Sequence, residues 1–320
     1  MLNILYLIMG IGLLTWGGEA LIRGSLAAAS RLGVSPLLSG LLIVGFGTSA
    51  PELVVSINAA IEGQPDIAIG NVVGSNICNV LLVLGICAVI TPLAVKPMVL
   101  RRDAVTVAAA SILFLAVAWE GALGRTHAAI FLVALVTYLV WAYWSERFHA
   151  APAGELHQAE STEISSDSRS ALWTVVTVIL GLSLLIGGSQ VLLFGAIGIA
   201  DHFDVSEAVI GLTLVAVGTS LPELSISVIA AIRGHADVAV GNILGSNIFN
   251  LLGILGVSAL LHPLPVHERI VQFDQWVMLG SSLILLLFLY TQNRLSRLEG
   301  GMLLVGYGMY VWLSFTVFSG

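Results

Sequence analysis

Apolar residues run through this chain in blocks of about 20, the length a helix needs to cross a bilayer's hydrocarbon core. Ten such blocks are legible, near residues 2–22, 36–61, 67–92, 104–120, 127–144, 172–195, 207–232, 238–261, 275–290 and 300–318. The polar stretches between them are short. The predicted fold is therefore all-α and integral to a membrane, with ten transmembrane helices. The longest polar stretch, residues 145–171, carries Pro152, Gly154, Glu155, Glu160, Ser161 and Asp167 and reads as a flexible loop, too short for a folded domain. The first block is not read as a cleaved signal peptide, because it lacks a basic start and its apolar run is too long.

Displaced by 171 residues, the chain aligns with itself without a gap. GTSAPELVVSINAAIEGQPDIAIGNVVGSNICNVLLVLG begins at Gly47 and GTSLPELSISVIAAIRGHADVAVGNILGSNIFNLLGILG at Gly218, and 23 of these 39 positions are identical. Gly10, Gly17 and Gly24 fall on Gly181, Gly188 and Gly195, which extends the repeat outward into the first block. The organisation predicted is a first five-helix repeat over 1–144, a cytoplasmic linker loop over 145–171 and a second repeat over 172–320. Five spans is an odd number, so the second repeat enters the membrane from the other side and the repeats are inverted in topology, a layout shared by many secondary transporters.

The basic residues orient the chain. With both termini outside, the cytoplasmic loops hold Arg23, Arg31, Lys96, Arg101, Arg102, Arg147, Arg169, Arg233, Arg294 and Arg297, and the outer loops only Arg125 and Arg269.

Composition narrows the class. The 320 residues carry 12 basic and 19 acidic side chains, 10% charged against 58% hydrophobic, with mean hydropathy +1.00. A soluble domain carries about 25% charged residues, so a soluble enzyme, a nucleic-acid binder and a disordered chain are all excluded. With net charge −7 and a single lysine there is no basic face for phosphates. Cys78 and Cys87 share one apolar stretch and read as buried packing residues.

Nearly all the charges lie in loops or at span ends. Glu52 and Glu223 do not: they occupy matching positions near the middle of spans two and seven, where a carboxylate is costly and points to function. Gly45, Gly47 and Pro51 interrupt span two, and Gly218 and Pro222 interrupt span seven. Proline withdraws an N–H from the helical ladder and disfavours helix in the residue before it, so helices two and seven are predicted to be broken. Irregular backbone at this depth survives only where it is buried or lines a cavity. Thr48, Ser49 and Glu52, repeated as Thr219, Ser220 and Glu223, then gather carboxylate, hydroxyl and carbonyl oxygens in one turn. Spans three and eight add Ser75 and Asn79, and Ser246 and Asn250, each pair spaced to share one helix face. Asn71, Asn76, Asn242 and Asn247 contribute amides, some of which would satisfy the broken backbone. Such an all-oxygen set suits hard cations, and two carboxylates balance one divalent or two monovalent ions, a physical basis for exchange. Asp66 and Asp237 read as helix N-caps, the seven histidines as surface residues, and Glu19, opposite Gln190 in the repeat, as an interface residue.

The doubled motifs, GTSAPE with GNVVGSNICN and GTSLPE with GNILGSNIFN, resemble the sodium/calcium exchanger family of the cation/calcium exchanger superfamily, in a prokaryotic-type form without a regulatory domain. The resemblance implies electrogenic antiport by alternating access, with several Na+ entering per Ca2+ leaving. It implies that Glu52 and Glu223 bind Ca2+ with backbone oxygens of Thr48 and Thr219, that Na+ ligands lie among Ser49, Ser75, Ser220 and Ser246 with carbonyls near Gly45 and Ala216, and that spans one and six slide past the other eight. Asn at both 79 and 250, where potassium-dependent relatives resemble an Asp form, points away from K+ co-transport, and the Thr-Ser pairs favour Na+ over H+. The expected partners are Na+, Ca2+ and the lipid bilayer of the cell membrane, with no cofactor, nucleic acid or obligate protein partner. An H+/Ca2+ or other divalent-cation antiporter is the alternative. A channel and a membrane enzyme rank lower: no convergent nucleophile is evident, and two symmetric carboxylates suit a two-sided transporter.

The topology is tested by single cysteines placed at either terminus. An impermeant thiol reagent is expected to label them from the outer side, and labelling confined to the cytoplasmic side overturns the orientation.

Overall fold

A computed structural model describes residues 2–34, 36–95, 100–149, 170–202 and 216–316. Among these the structure is helical almost throughout, in the order α1 (Leu2–Leu32), α2 (36–48), α3 (Ala50–Ile61), α4 (Pro65–Ile90), α5 (100–118), α6 (Arg125–His149), α7 (Ala171–His202), α8 (Ala216–Thr219), α9 (Leu221–Ile232), α10 (Ala236–Leu261), α11 (270–292) and α12 (Arg297–Thr316). Four two-residue strands join helix ends: β1 (Leu93–Ala94), β2 (Ala122–Leu123), β3 (Leu264–Pro265) and β4 (Arg294–Leu295). Six helices, α1, α4, α6, α7, α10 and α11, are long and apolar enough to cross a membrane, and α2 with α3 passes the same test as a pair bent by 47°. Leu5, Ile8 and Trp16 on α1, and Leu172, Ile179 and Phe194 on α7, are exposed. Lipid is the environment that accepts such continuous apolar faces, and the protein is a multi-pass membrane protein.

Several expected boundaries move. The first helix runs ten residues past its expected end at residue 22 because the following stretch, RGSLAAASRL, is rich in strong helix formers. α6 continues to His149 and α7 starts at Ala171, so only residues 150–169 of the expected linker lie outside the described residues. The expected seventh span is described only from Ala216. The reading of Asp66 and Asp237 as N-caps is corrected: Gln64 and His235 occupy the N-cap positions, and the two aspartates sit inside the first turn, where a carboxylate complements the helix dipole. Ahead of each, a left-handed glycine ends the preceding helix, Gly63 (φ 73°) and Gly234 (φ 78°). There the N–H groups of Gln64 and His235 donate back to Ala59 and Ala230, both at 2.8 Å, which satisfies the carbonyls a helix end leaves open. The same sharp reversal thus closes both central hairpins.

The sequence repeat is visible as exchanged contacts. A Cβ at Gly10 would meet Leu192, and one at Gly181 would meet Leu21; Gly17 faces Leu185, and Gly188 faces Leu14. The register falls along α7 as it rises along α1, so these equivalent helices pack antiparallel with backbones close together. β1 pairs antiparallel with β4, and β2 with β3, again joining one half to the other. Ser111 and Ser282, 171 residues apart, are 3.3 Å apart at their hydroxyls, and the Asn247 amide reaches the carbonyl of its own counterpart, Asn76, at 3.5 Å. Equivalent residues that touch each other lie beside the axis relating the halves.

Burial grades outward from that axis. In α4 and α10, 72% and 83% of the apolar window is buried, against 28% and 22% in α1 and α7. The main hydrophobic core is drawn from α3 to α6 and their counterparts, whereas α1 and α7 contribute to a separate cluster in which Leu14, Leu21, Ile22 and Leu185 meet Ile226, Ala230 and Val238. Not every span-end charge stays at the water boundary, as the sequence reading expected. Arg102 and Asp103 are buried, the guanidinium forked onto the adjacent carboxylate, and Tyr138 donates to Asp103 at 2.8 Å. In the other half Asp274, the counterpart of Asp103, is joined at 3.0 Å to Tyr310, one residue beyond the position matching Tyr138, with Arg269 on the same carboxylate at 3.2 Å. These charges remain ionisable inside protein because each is paired.

The close packing of α1 on α7 generates a stability test. Gly17→Val places a branched side chain 2.8 Å from the Leu185 backbone nitrogen and is expected to cost about 1–3 kcal/mol by thermal unfolding in detergent. Gly12→Val, with nothing within 4 Å of the added Cβ, is expected to leave the melting temperature unchanged.

Candidate ion-binding site

The break in α2–α3 falls at Ser49 (φ −79°, ψ 9°) and that between α8 and α9 at Ser220 (φ −86°, ψ 5°). Pro51 and Pro222 follow two residues later, in the first turn of the new helix, where proline needs no donor. Glu52 and Glu223 come next, each fully buried in that first turn. The sequence folds this way because a helix can restart only after the proline-enforced interruption, which aims its N-terminal turn and its carboxylate into the protein.

Each carboxylate is met by the hydroxyl of the opposite break. Ser49 Oγ donates to Glu223 Oε1 at 2.9 Å, and Ser220 Oγ to Glu52 Oε1 at 3.4 Å. Thr219 also lies within hydrogen-bonding reach of Glu52. Ser246 Oγ contacts Glu223 Oε1 at 3.4 Å and donates to the Gly45 carbonyl at 2.9 Å, where Thr48 Oγ1 also points, at 3.4 Å. Gly45 permits this: its Cα lies so close to α10 that a Cβ would stand 2.8 Å from the Asn242 carbonyl oxygen. Ser75, the counterpart of Ser246, is buried, but among the described residues it does not bond Glu52 as Ser246 bonds Glu223. Ala216 begins α8, and only its backbone is described.

Asn71 and Asn242 have the backbone-satisfying role. Asn71 Nδ2 donates to the Glu52 carbonyl at 3.2 Å and to Ser56 Oγ at 2.9 Å; Asn242 Nδ2 does the same to Glu223 (3.2 Å) and Ser227 (2.8 Å). Asn242 Oδ1 in turn accepts from Thr48 at 3.1 Å. Ser56 and Ser227 were missed by the sequence reading, although the signal was present: both lie one helical turn after a glutamate and are identical in the repeat. Asn79 and Asn250 sit where α4 and α10 widen into π-helix, over Asn79–Val83 and Phe249–Ile254, a distortion frequent at functional sites.

Among the described residues, Glu52 Oε2, Glu223 Oε2, Asn79 Oδ1 and both amide atoms of Asn250 are buried without a hydrogen-bond partner. Neither glutamate forms an ion pair among the described residues. Buried polar atoms are almost always partnered, and a buried charge needs a counter-charge. Among the described residues no cluster of three or more His, Cys, Asp or Glu exists, so further ligands for a cation come from hydroxyls, amides and carbonyls.

Two buried carboxylates at paired helix breaks, each with one oxygen unpartnered among the described residues and set in a lipid-exposed helical protein, point to a membrane cation transporter. The chain matches the family described as sodium/calcium exchanger protein over residues 2–144 and 173–316, and it belongs to that family of cation/Ca2+ antiporters, which are transporters and not enzymes. It is 40% identical to CaxA of Alkalimonas amylolytica over 98% of both chains. It is 33% identical to the sodium/calcium exchanger MaX1 of Methanosarcina acetivorans, over 98% of this chain and 99% of that one. A solved structure of the sodium-calcium exchanger NCX_Mj, soaked with Na+ and Ca2+, superposes with a TM-score of 0.82 at 31% identity, covering 99% of each chain.

The amide clamps carry a prediction. Asn242→Ala removes the bonds to the Glu223 carbonyl and to the Ser227 and Thr48 hydroxyls, and is expected to cost about 1–3 kcal/mol. The rise in melting temperature on adding Ca2+ should shrink as well, because the turn bearing Glu223 is no longer held. Differential scanning with and without Ca2+ reads both effects, and an unchanged Ca2+-dependent rise rejects the clamp role.

Proposed function

We propose that the protein exchanges Na+ for Ca2+ across the cell membrane by alternating access, with Glu52 and Glu223 binding the ion between the two helix breaks. The observation that carries this reading is the pair of buried carboxylates, each hydrogen-bonded on one oxygen by the other half's serine and open on its second. One Ca2+, or the Na+ ions that replace it, supplies the missing positive charge. Both loads neutralise the same pair, so binding one displaces the other. Thr48 and Thr219 backbone oxygens complete the Ca2+ shell, while Ser49, Ser75, Ser220, Ser246, Asn79 and Asn250, with carbonyls near Gly45 and Ala216, supply oxygens for Na+. The Asn79 amide oxygen and both amide atoms of Asn250, without a hydrogen-bond partner among the described residues, support their inclusion.

The halves 1–144 and 172–320 act as inverted repeats joined by the 145–171 linker, with both termini outside. The exchanged contacts of α1 with α7 support this, as does the match of the family to two separate stretches of the chain. The separate hydrophobic cluster of α1 and α7 is the interface along which these helices slide against the rest. The similarity to MaX1 and NCX_Mj, both sodium/calcium exchangers, favours Na+ as the coupling ion.

In membrane vesicles, radiolabelled Ca2+ uptake is expected to follow an outward Na+ gradient. Uptake driven by a pH gradient and indifferent to Na+ selects proton-coupled antiport, and flux without any counter-ion gradient selects a channel. Glu52→Gln and Glu223→Gln keep side-chain shape and remove one charge of the pair. Each is expected to lower Ca2+ affinity by roughly 100-fold or more, from a cost of about 3–5 kcal/mol for an uncompensated buried charge, with the protein still folded.

A further inference from the structure

The two ends of the molecule are not in the same state. Among the described residues α1 packs along α9, whereas the repeat-related pair, α7 and α3, has almost no contact. At the closed end Gly18 lies against Ile229 and the side chain of Glu19 reaches Arg233, at the C-terminus of α9, with an Oε2–N distance of 3.1 Å. Arg23, one turn along α1, holds the other carboxylate oxygen at 2.9 Å. At the open end, the counterparts of Glu19, Arg23 and Arg233 are Gln190, Phe194 and Glu62. No cation stands in that trio, so the same ion pair cannot form there.

We propose that the Glu19–Arg233 ion pair is a one-sided latch that positions α1 on α9 and biases the exchanger toward the state closed at this end. The proposal rests on the alternating-access reading above. In an inverted repeat, the opposite-facing state is reached when α7 closes on α3 and α1 leaves α9. A pair of identical halves would weight the two states equally. Here one state gains an attraction between opposite charges and the other gains none, and a ligand's apparent affinity on each side scales with the fraction of protein facing it. With Arg23 and Arg233 largely exposed, the pair is worth a bias of about two- to five-fold. Glu19 touches no ion and serves as a positioning residue.

The test uses the full chain with Cys78 and Cys87 replaced by alanine and Ile229→Cys introduced beneath α1, so that thiol labelling reports how often α1 leaves α9. Glu19→Gln and Arg233→Gln are each expected to raise the labelling rate about two- to five-fold, with a matching gain in apparent Ca2+ affinity on the side served by the released state. Gln190→Arg, which offers Glu62 a partner at the other end, is expected to raise it as well, and Glu19→Gln with Gln190→Arg to raise it furthest. Unchanged labelling in both Glu19→Gln and Arg233→Gln, with Na+-driven Ca2+ uptake intact, overturns the latch alone. Failure of the unmodified protein to show Na+-driven uptake overturns the exchanger reading instead.

Discussion

Two carboxylates buried without a protein cation set the terms for the rest of the molecule. A negative charge in a helical core embedded in lipid must be neutralised, and this chain places no lysine or arginine beside Glu52 or Glu223 among the described residues. In the proposed exchange the counter-charge arrives as the transported ion. The broken helices follow from that need, because only an interrupted ladder brings carboxylate, hydroxyl and carbonyl oxygens into one turn. The amides of Asn71 and Asn242 tie the same turns to the neighbouring helices, each donating to the carbonyl of the glutamate and to the serine hydroxyl one turn on.

Symmetry gives the site its second property. Ser49 serves Glu223 and Ser220 serves Glu52, so neither half holds a complete site. The proposed ion position is therefore the seam between halves, where a shift of one against the other would change its exposure on both faces at once. The central α4 and α10 supply the rigid wall, while α1 and α7, buried along only a quarter of their length, meet it through a smaller apolar cluster of their own.

The departures from symmetry are as informative as the repeat. Asp103 with Tyr138 and Asp274 with Tyr310 are similar carboxylate–tyrosine pairs, but their arginines come from different positions, Arg102 and Arg269. Glu19 and Arg233 have no counterpart pair at all, and they mark the end at which α1 is closed.

Much of this was legible in the chain itself. Block length and the scarcity of charge fixed a multi-pass helical protein; the 171-residue repeat fixed which residues correspond; the Pro-Glu pairs fixed where helices break and where charge is buried. These are local or periodic signals, written in the order of residues along one helix or its copy. Other features depended on distant segments meeting. The sequence could not say that Ser49 bonds the far glutamate rather than its own, that Ser56 and Ser227 anchor the amide clamps, that Arg102 and Asp103 are buried, or that Glu19 finds Arg233. Each of those depends on the register between packed helices, which close backbone approach and side-chain volume determine only in three dimensions. The repeat predicts equal ends; the tertiary structure alone decided that α1 packs along α9 while α7 does not pack in the same way along α3 among the described residues.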